Sequence, residues 1–346
     1  MMIMKTAEKA EIRRIIMADA TVLKEMNLGK IRAVLCSGCS LSKTALADIT
    51  GLSFPTVGKI VDEMVKTREL QAMGMQSSSG GRCSRLYQYN PDFRNAIALI
   101  LEGQTIDWFL LDSLGMTKNQ GHIDVEAGLL ETMALLLQTV RRSEPSLCCF
   151  VLGIAANIDG AIVQQSYEYP ELKGINILKE LECASGLKGA VGNDMEFSAE
   201  GSWQRLRLND KTSLISFYLG KCGFGSSFVF NGKALKGSHN LAGEIELLPW
   251  IHQEKLTQDI SANTLPESVL QCILTYALVA DPDIIQLYSH PLFLQSQQEI
   301  ADRLKQCYNS DKIPAVRVSD RFRMDYEIGL SRRALTMMAE LKDESC

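Results

Sequence analysis

The chain has 346 residues, 46% of them apolar and 22% charged, and a net charge of −5. These are the proportions of an ordinary globular protein, and the length suits two or three domains. No apolar run approaches the roughly 20 residues that span a bilayer. The opening MMIMKTAEKAEIRRIIM mixes acids and bases where a signal peptide would show a basic start, an apolar block and a cleavage site. The expectation is a cytoplasmic chain, with no membrane partner, that begins on an amphipathic helix. Charge is divided unevenly: residues 1–90 hold 13 Lys/Arg against 8 Asp/Glu, and the remainder holds 23 against 33. A basic module ahead of an acidic body suits nucleic-acid binding through one end. Ten cysteines are scattered without a disulfide framework, as in a reducing compartment. Cys36-Ser-Gly-Cys39 is the one CxxC; no second ligand pair follows it at zinc spacing, so no metal is assigned.

In chain order, Ile31, Val34 and Leu35 mark the apolar face of a first helix after Asn27. Ser42 to Thr50 gives a short second helix with Ser42 as its N-cap, because a hydroxyl can accept from an unpaired first-turn N–H. Leu46 and Ile49 are expected to face inward, Ala47 allows a close helix crossing, and Gly51 supplies the turn. Ser53 caps a third helix in which Pro55 falls early, where its missing N–H is not needed. Val57, Ile60, Val61 and Met64 form its buried face, leaving Phe54, Thr56, Gly58 and Lys59 outward. Glu69–Met75 and Cys83–Tyr89 read as two strands around the tip Ser77-Ser-Ser-Gly-Gly-Arg-Cys83.

This is the pattern of a winged helix-turn-helix. The start of the third helix enters the major groove in such modules. Thr56 can read a base edge or phosphate, Lys59 can neutralise a phosphate or reach guanine, and Arg82 and Arg85 can reach phosphates or the minor groove. The DNA-binding set is Ser42, Lys43, Thr44, Ser53, Phe54, Thr56, Lys59, Gly81, Arg82 and Arg85. Asn27 to Asn90 resembles the winged-helix domain of the ROK family, which groups sugar-responsive repressors with sugar kinases. The family's repressors usually carry a basic residue where Phe54 stands and a Ser where Gly58 stands, so no operator is carried over. Gly58 also lowers helix propensity by about 1 kcal/mol relative to Ala.

From about Phe93 strands alternate with helices, the pattern of an α/β body (α+β for the whole chain). Ala96–Leu101 and Trp108–Asp112 read as strands of a hairpin or meander, Leu129–Arg142 as a helix and Cys148–Ala156 as a buried strand. Leu178–Ala184 reads as a short helix and Ser213–Leu219 as a strand; a turn at Gly223-Phe-Gly225 leads to a strand over Ser227–Phe230.

The body also resembles ROK, as a two-lobed actin/hexokinase-like (ribonuclease H-like) domain. The segments that carry the likeness are Val151–Gly160, Val191–Gly201, Leu219–Gly225 with Val229–Lys233, and Gly237–Ile245. The likeness implies that Asn193 and Glu244 hold sugar hydroxyls and that Asp194 stands where ROK kinases keep their general base. With Asn157 these form the effector-binding set. Read as residues alone, Asn193-Asp194 is also a helix cap.

Other kinase features are eroded. The phosphate loop is replaced by Ile100-Leu-Glu-Gly-Gln-Thr105, where Glu102 would repel phosphates and no aspartate precedes it for Mg²⁺. Lys221 and Cys222 intrude in the second glycine loop, and Glu246-Leu-Leu-Pro249 stands where the family has Gly-His and a zinc-binding cysteine cluster. Ala277–Gln286 resembles the family's late helix-to-strand step but arrives early, as though the zinc-bearing segment were deleted. Neither zinc nor ATP is therefore expected, and no catalytic residue is assigned.

The resemblance implies a winged helix-turn-helix over 1–91 and a shortened effector and dimerisation domain over 92–346. It implies a repressor of carbohydrate-utilisation genes that binds a double-stranded operator as a homodimer or higher oligomer and answers to a sugar or sugar phosphate. The rivals are a ROK sugar kinase, and a regulator whose body serves only assembly or protein partners.

Overall fold

The computed structural model describes residues 22–76, 84–126, 128–166, 168–220, 223–252, 265–308, 310 and 312–341. The opening amphipathic helix expected from sequence and the wing tip at 77–83 lie outside them. The chain divides into two compact units, residues 1–94 with 112–116, and residues 95–111 with 117–346.

In the first unit, residues 22–35 are helical (α1) and bury Ile31 and Leu35. A short strand β1 (Leu41–Ser42) leads into α2 (Lys43–Thr50). The Ser42 hydroxyl accepts from the Ala45 N–H at 3.2 Å, and the helix stops at Gly51, whose φ of 68° is the left-handed conformation glycine tolerates. In α3 (Phe54–Lys66) the Ser53 hydroxyl accepts from the Thr56 N–H at 3.3 Å. Val57, Ile60, Val61 and Met64 are buried with Leu46, Leu70, Tyr87 and Tyr89 in one core. Ile49 does not join them and is 57% exposed, contrary to the sequence reading. The inward stripe of α2 runs through Leu46 and Ala47, and Ile49 lies well round the helix from its centre.

Strands β2 (Leu70–Gln76) and β3 (Ser84–Tyr89) pair antiparallel, Leu70 opposite Tyr89, and β1 joins the other edge of β3. A buried charge pair ties α1 to this hairpin. Arg32 donates to both oxygens of Glu69, at 2.5 and 2.9 Å, and the Tyr89 hydroxyl donates to the same carboxylate at 3.1 Å.

The second unit contains the same sheet plan twice. Its first sheet takes β4 (Asn95–Glu102), β5 (Thr105–Leu111), β6 (Thr117–Asp124), β7 (Leu147–Ile154) and β10 (Lys188–Asn193) in the order β10-β7-β4-β5-β6. Its second takes β11 (Leu214–Gly220), β12 (Gly223–Phe230), β13 (Lys233–Ala234), β14 (Ile284–Tyr288) and β15 (Ala315–Ser319) in the order β13-β12-β11-β14-β15. In each, three antiparallel strands are followed by two parallel ones, the ribonuclease H-like arrangement expected of an actin/hexokinase-like body. A small ribbon, β8 (Asn157–Asp159) and β9 (Ile162–Gln165), stands beside the first sheet.

Two departures from the sequence reading stand out. β6 was not anticipated, because its TKNQGHID carries only one apolar side chain, Ile123, and lies at a sheet edge. Gly223–Gly225 is not a turn: it begins β12 and pairs with Tyr218–Gly220.

Helices α4 (Leu129–Ser143) and α5 (Ile177–Ser185) cover one face of the first sheet, and α8 (Glu267–Ala280) and α9 (Pro291–Tyr308) cover one face of the second. A four-residue helix, α7 (Pro249–His252), precedes α8. β7 is buried along its whole length: Phe150, Leu152 and Ile154 enter the α4/α5 core, while Cys149 and Val151 face the opposite core.

That opposite face is closed by α10 (Phe322–Glu340), the helix that follows β15, through Tyr326, Leu330, Ala334, Met337 and Met338. Reciprocally α6 (Asp194–Arg205), which follows β10, packs on the second sheet through Ala199 against Leu214, Val229 and Ile284. Where α6 and α10 cross, a Cβ on Gly201 would fall 1.7 Å from the Asp325 carbonyl oxygen, and one on Gly329 would fall 2.0 Å from that of Phe197. Asp325, wholly buried, accepts from Arg205 Nε and Nη2 at 2.5 and 3.0 Å and from the Tyr288 hydroxyl at 3.1 Å.

Two helical glycines should therefore respond in opposite ways. Gly201→Ala forces backbone apart and should destabilise the second unit by about 3 kcal/mol, the upper range for overpacking. Gly58→Ala meets nothing within 4 Å and should stabilise the first unit by about 0.5–1 kcal/mol. Guanidinium unfolding of each variant measures both effects, and equal signs would contradict this account of the crossing.

Candidate functional site

The first unit presents the outer side of α2 and α3. Thr44, Ser53, Phe54 and Lys59 are exposed and Thr56 is half-buried, its hydroxyl 2.8 Å from that of Ser53. Lys59 makes no ion pair with the described residues, and Arg85 is exposed on β3. Ser42 is committed to its cap. Lys43 is also occupied: its ammonium is 2.6 Å from Asp62 and lies over the Tyr87 ring, 5.5 Å from the centroid, so it ties α2 to α3 and β3. Gly81 and Arg82 lie outside the described residues.

The second unit holds a cleft of about 210 Å³, below the roughly 300–1,000 Å³ of drug-sized sites and suited to a smaller molecule. Asn157, Asn193, Asp194 and Glu244 all line it. β10 delivers Asn193 to its end, where the carbonyl oxygen accepts from the Met195 and Glu196 N–H groups at 2.7 and 3.4 Å and starts α6. The same side chain donates to the Ala156 carbonyl at 2.9 Å, so it braces the cleft wall as well as capping the helix. Asn157 Nδ2 donates to Glu244 Oε1 at 3.0 Å and to the Asn240 carbonyl at 2.8 Å. Asp194 Oδ1 accepts from the Met195 N–H at 2.9 Å.

Burial pushes the Asp194 carboxyl up to about 7; the Met195 hydrogen bond opposes the rise, and the charges of Glu244 and Glu168 add to it. Burial also raises Glu244, against the hydrogen bond from Asn157.

Sequence reasoning missed Glu168 and Glu246 as lining residues. Glu168 belongs to no motif; it accepts from the Gly103 N–H at 2.7 Å. Glu246 was seen only as a departure from the zinc motif, yet it accepts from the Phe224 N–H at 2.7 Å. Gly223 leaves room for it, since a Cβ there would come within 1.8 Å of the Glu246 carboxylate. At one side of the cleft Tyr218 stacks on Phe322 with centroids 4.2 Å apart.

Glu102 is exposed at the β4–β5 turn and faces Arg323 at 3.8 Å, so its charge is partly met within the protein. Lys221 and Cys222 lie outside the described residues. Among the described residues no group of three His, Cys, Asp or Glu is placed to hold a metal. No described helix is long and apolar enough to cross a membrane.

A helix-turn-helix with a β-wing, followed by a doubled ribonuclease H-like body around a polar cleft, defines a winged-helix protein with an actin/hexokinase-like second unit. Residues 98–251 match the ROK family model.

The xylose repressor of Caldicellulosiruptor bescii is 24% identical over 239 residues, 66% of this chain and 60% of the repressor. The chain thus spans about 60% of the length of the curated repressors it matches. Among solved structures, a ROK family transcriptional regulator described as a homolog of the E. coli MLC protein superposes with a TM-score of 0.63 at 16% identity, covering 92% of this chain and 98% of its own. The ROK hexokinase of Thermus thermophilus superposes with a TM-score of 0.55 at 16% identity, covering 72% and 100%.

The Asp194 environment has a consequence for stability. The carboxyl holds its proton up to about 7 in the fold and releases it near 3.8 when unfolded. The folded state therefore gains from this group at low pH, and the gain is lost as pH rises through about 7. Asp194→Asn should raise Tm at pH 8 by about 2 °C or more, with the difference shrinking towards pH 4. Thermal unfolding across that range measures it, and a pH-independent difference would contradict the assignment.

Proposed function

We propose that this chain is a DNA-binding transcriptional regulator, a repressor of carbohydrate-utilisation genes, whose second unit binds a sugar-like effector. The observation that carries the reading is the exposed side of α3. Val57, Ile60, Val61 and Met64 are consumed by the core, while Phe54, Thr56 and Lys59 remain at the N-terminal part that such modules insert into the major groove. Arg85 on the wing and Arg82 at its tip would anchor phosphates. The chain would bind paired half-sites as a homodimer or higher oligomer, and effector binding in the cleft would shift the placement of the DNA-binding units. Similarity to a xylose repressor and to an MLC-like regulator supports this reading.

A sugar kinase is the second reading. One observation favours it: Asp194, held near neutrality in a cleft, has the character of a general base. ATP turnover with a panel of hexoses separates the two. A third reading, in which the body only assembles, would leave the melting temperature unmoved by every sugar and sugar phosphate.

Mobility shift on DNA flanking the protein's own gene tests the main reading. A retarded complex is expected that weakens as salt rises, and no complex at low salt with any flanking fragment would overturn it. Lys59→Ala and Arg85→Ala should weaken binding to all sequences alike and each reduce the salt slope by about 1. Thr56→Ala should instead relax preference at one base pair by about 1–3 kcal/mol. If all three act alike, the division between reading and anchoring residues is wrong.

A further inference from the structure

The cleft has a distinctive charge, and this inference rests on reading it as the effector site. Four carboxylates line it, Glu168, Asp194, Glu244 and Glu246, and no described lining residue is Lys or Arg. The described basic groups of nearby elements are already committed: Lys236 to Glu196 at 2.6 Å, Arg323 to Asp107 at 2.9 Å and Glu327 at 2.8 Å, and Arg205 to Asp325. A phosphate brought here would meet acids and no described counter-charge.

The carboxylates are also held in place. Asn157 fixes Glu244 through Oε1, and the start of α6 fixes Asp194 through Oδ1. Among the described residues Glu244 Oε2 and Asp194 Oδ2 have no hydrogen-bond partner, which leaves two acceptors without donors in the lining of the cavity. Close by, the Tyr326 hydroxyl is buried without a hydrogen-bond partner and feels the Asp194 charge. An ammonium group supplies three donors and a positive charge together. A neutral hydroxyl supplies only the hydrogen bonds.

We propose that the cleft selects a monosaccharide-sized polyol bearing an ammonium group, a protonated amino sugar whose nitrogen is not acylated, over its neutral parent, and rejects the phosphorylated counterpart. Burial holds Asp194 and Glu244 back from ionising, and neighbouring carboxylates add to it, Glu244 and Glu168 at Asp194 and Glu196 at Glu244. A cation in the cleft offsets both effects, and its binding should draw the proton from Asp194.

The test is titration calorimetry on the full chain at pH 7.5. The probes are glucosamine, galactosamine and mannosamine, their neutral parents glucose, galactose and mannose, and the 6-phosphates of both sets. The expected result is at least one amine binding about tenfold or more tighter than its parent, with the matching phosphate weakest. Binding of a neutral sugar as tight as its amine, or of a phosphate tighter than either, overturns this proposal and leaves the effector reading standing. Silence from the whole panel overturns the effector reading and this proposal with it. A double variant, Asp194→Asn with Glu244→Gln, keeps the Asn157 hydrogen bond and should bring the amine-to-parent ratio close to one. An unchanged ratio, with folding verified by circular dichroism, overturns the assignment of these two carboxylates.

Discussion

The second unit depends on one helix crossing. α6 leaves the first sheet and packs on the second, α10 leaves the second and packs on the first, and the two touch backbone to backbone where Gly201 and Gly329 allow it. Close approach alone is non-directional. The buried Asp325, gripped by Arg205 from α6 and by the Tyr288 hydroxyl from β14, fixes which turn faces which. Breaking such a pair from one side strands a charge in the interior, which costs about 3–5 kcal/mol. The Tyr288 hydroxyl also donates to the Ser198 carbonyl on α6 at 3.0 Å, so α6, α10 and the second sheet are joined through a few polar atoms.

The cleft follows from that crossing. α6 begins at Asn193, and the residues that start the helix are the residues that line the cavity. The cap does two things at once: it satisfies first-turn N–H groups, and it holds Asp194 where burial and neighbouring acids raise its proton affinity. The opposite wall comes from β12 and the segment after β13, through Ser226, Gly243 and Glu244. The lining of the cavity therefore draws on elements of both sheets.

Local chemistry was readable from the sequence, and distant pairing was not. Ser42, Ser53, Asn193 and the stripe Val57, Ile60, Val61, Met64 each announce themselves within a few residues, because caps and 3.6-residue periodicity are local signals. Ile49 was misplaced because an eight-residue helix is too short for its spacing to say where the buried stripe is centred. β6 was missed because an edge strand can be polar on both faces, and Gly223–Gly225 looked like a turn because glycine signals turns more often than close packing. Asn157, Asn193, Asp194 and Glu244 were legible as a set through family likeness. Glu168 and Glu246 reach the cleft only through the fold, and no spacing in the sequence announces that.

The exchange of α6 and α10 has a consequence for synthesis of the chain. The inner face of the first sheet, with Ala96, Ala98, Ile100 and Val151, is covered by a helix that begins at Phe322. β7 ends at Ile154, so at roughly 5–20 residues per second the ribosome leaves that apolar face without its cover for roughly 10–30 s. During that interval the nascent first lobe presents an open sheet to its surroundings, and shielding it falls to whatever binds nascent chains.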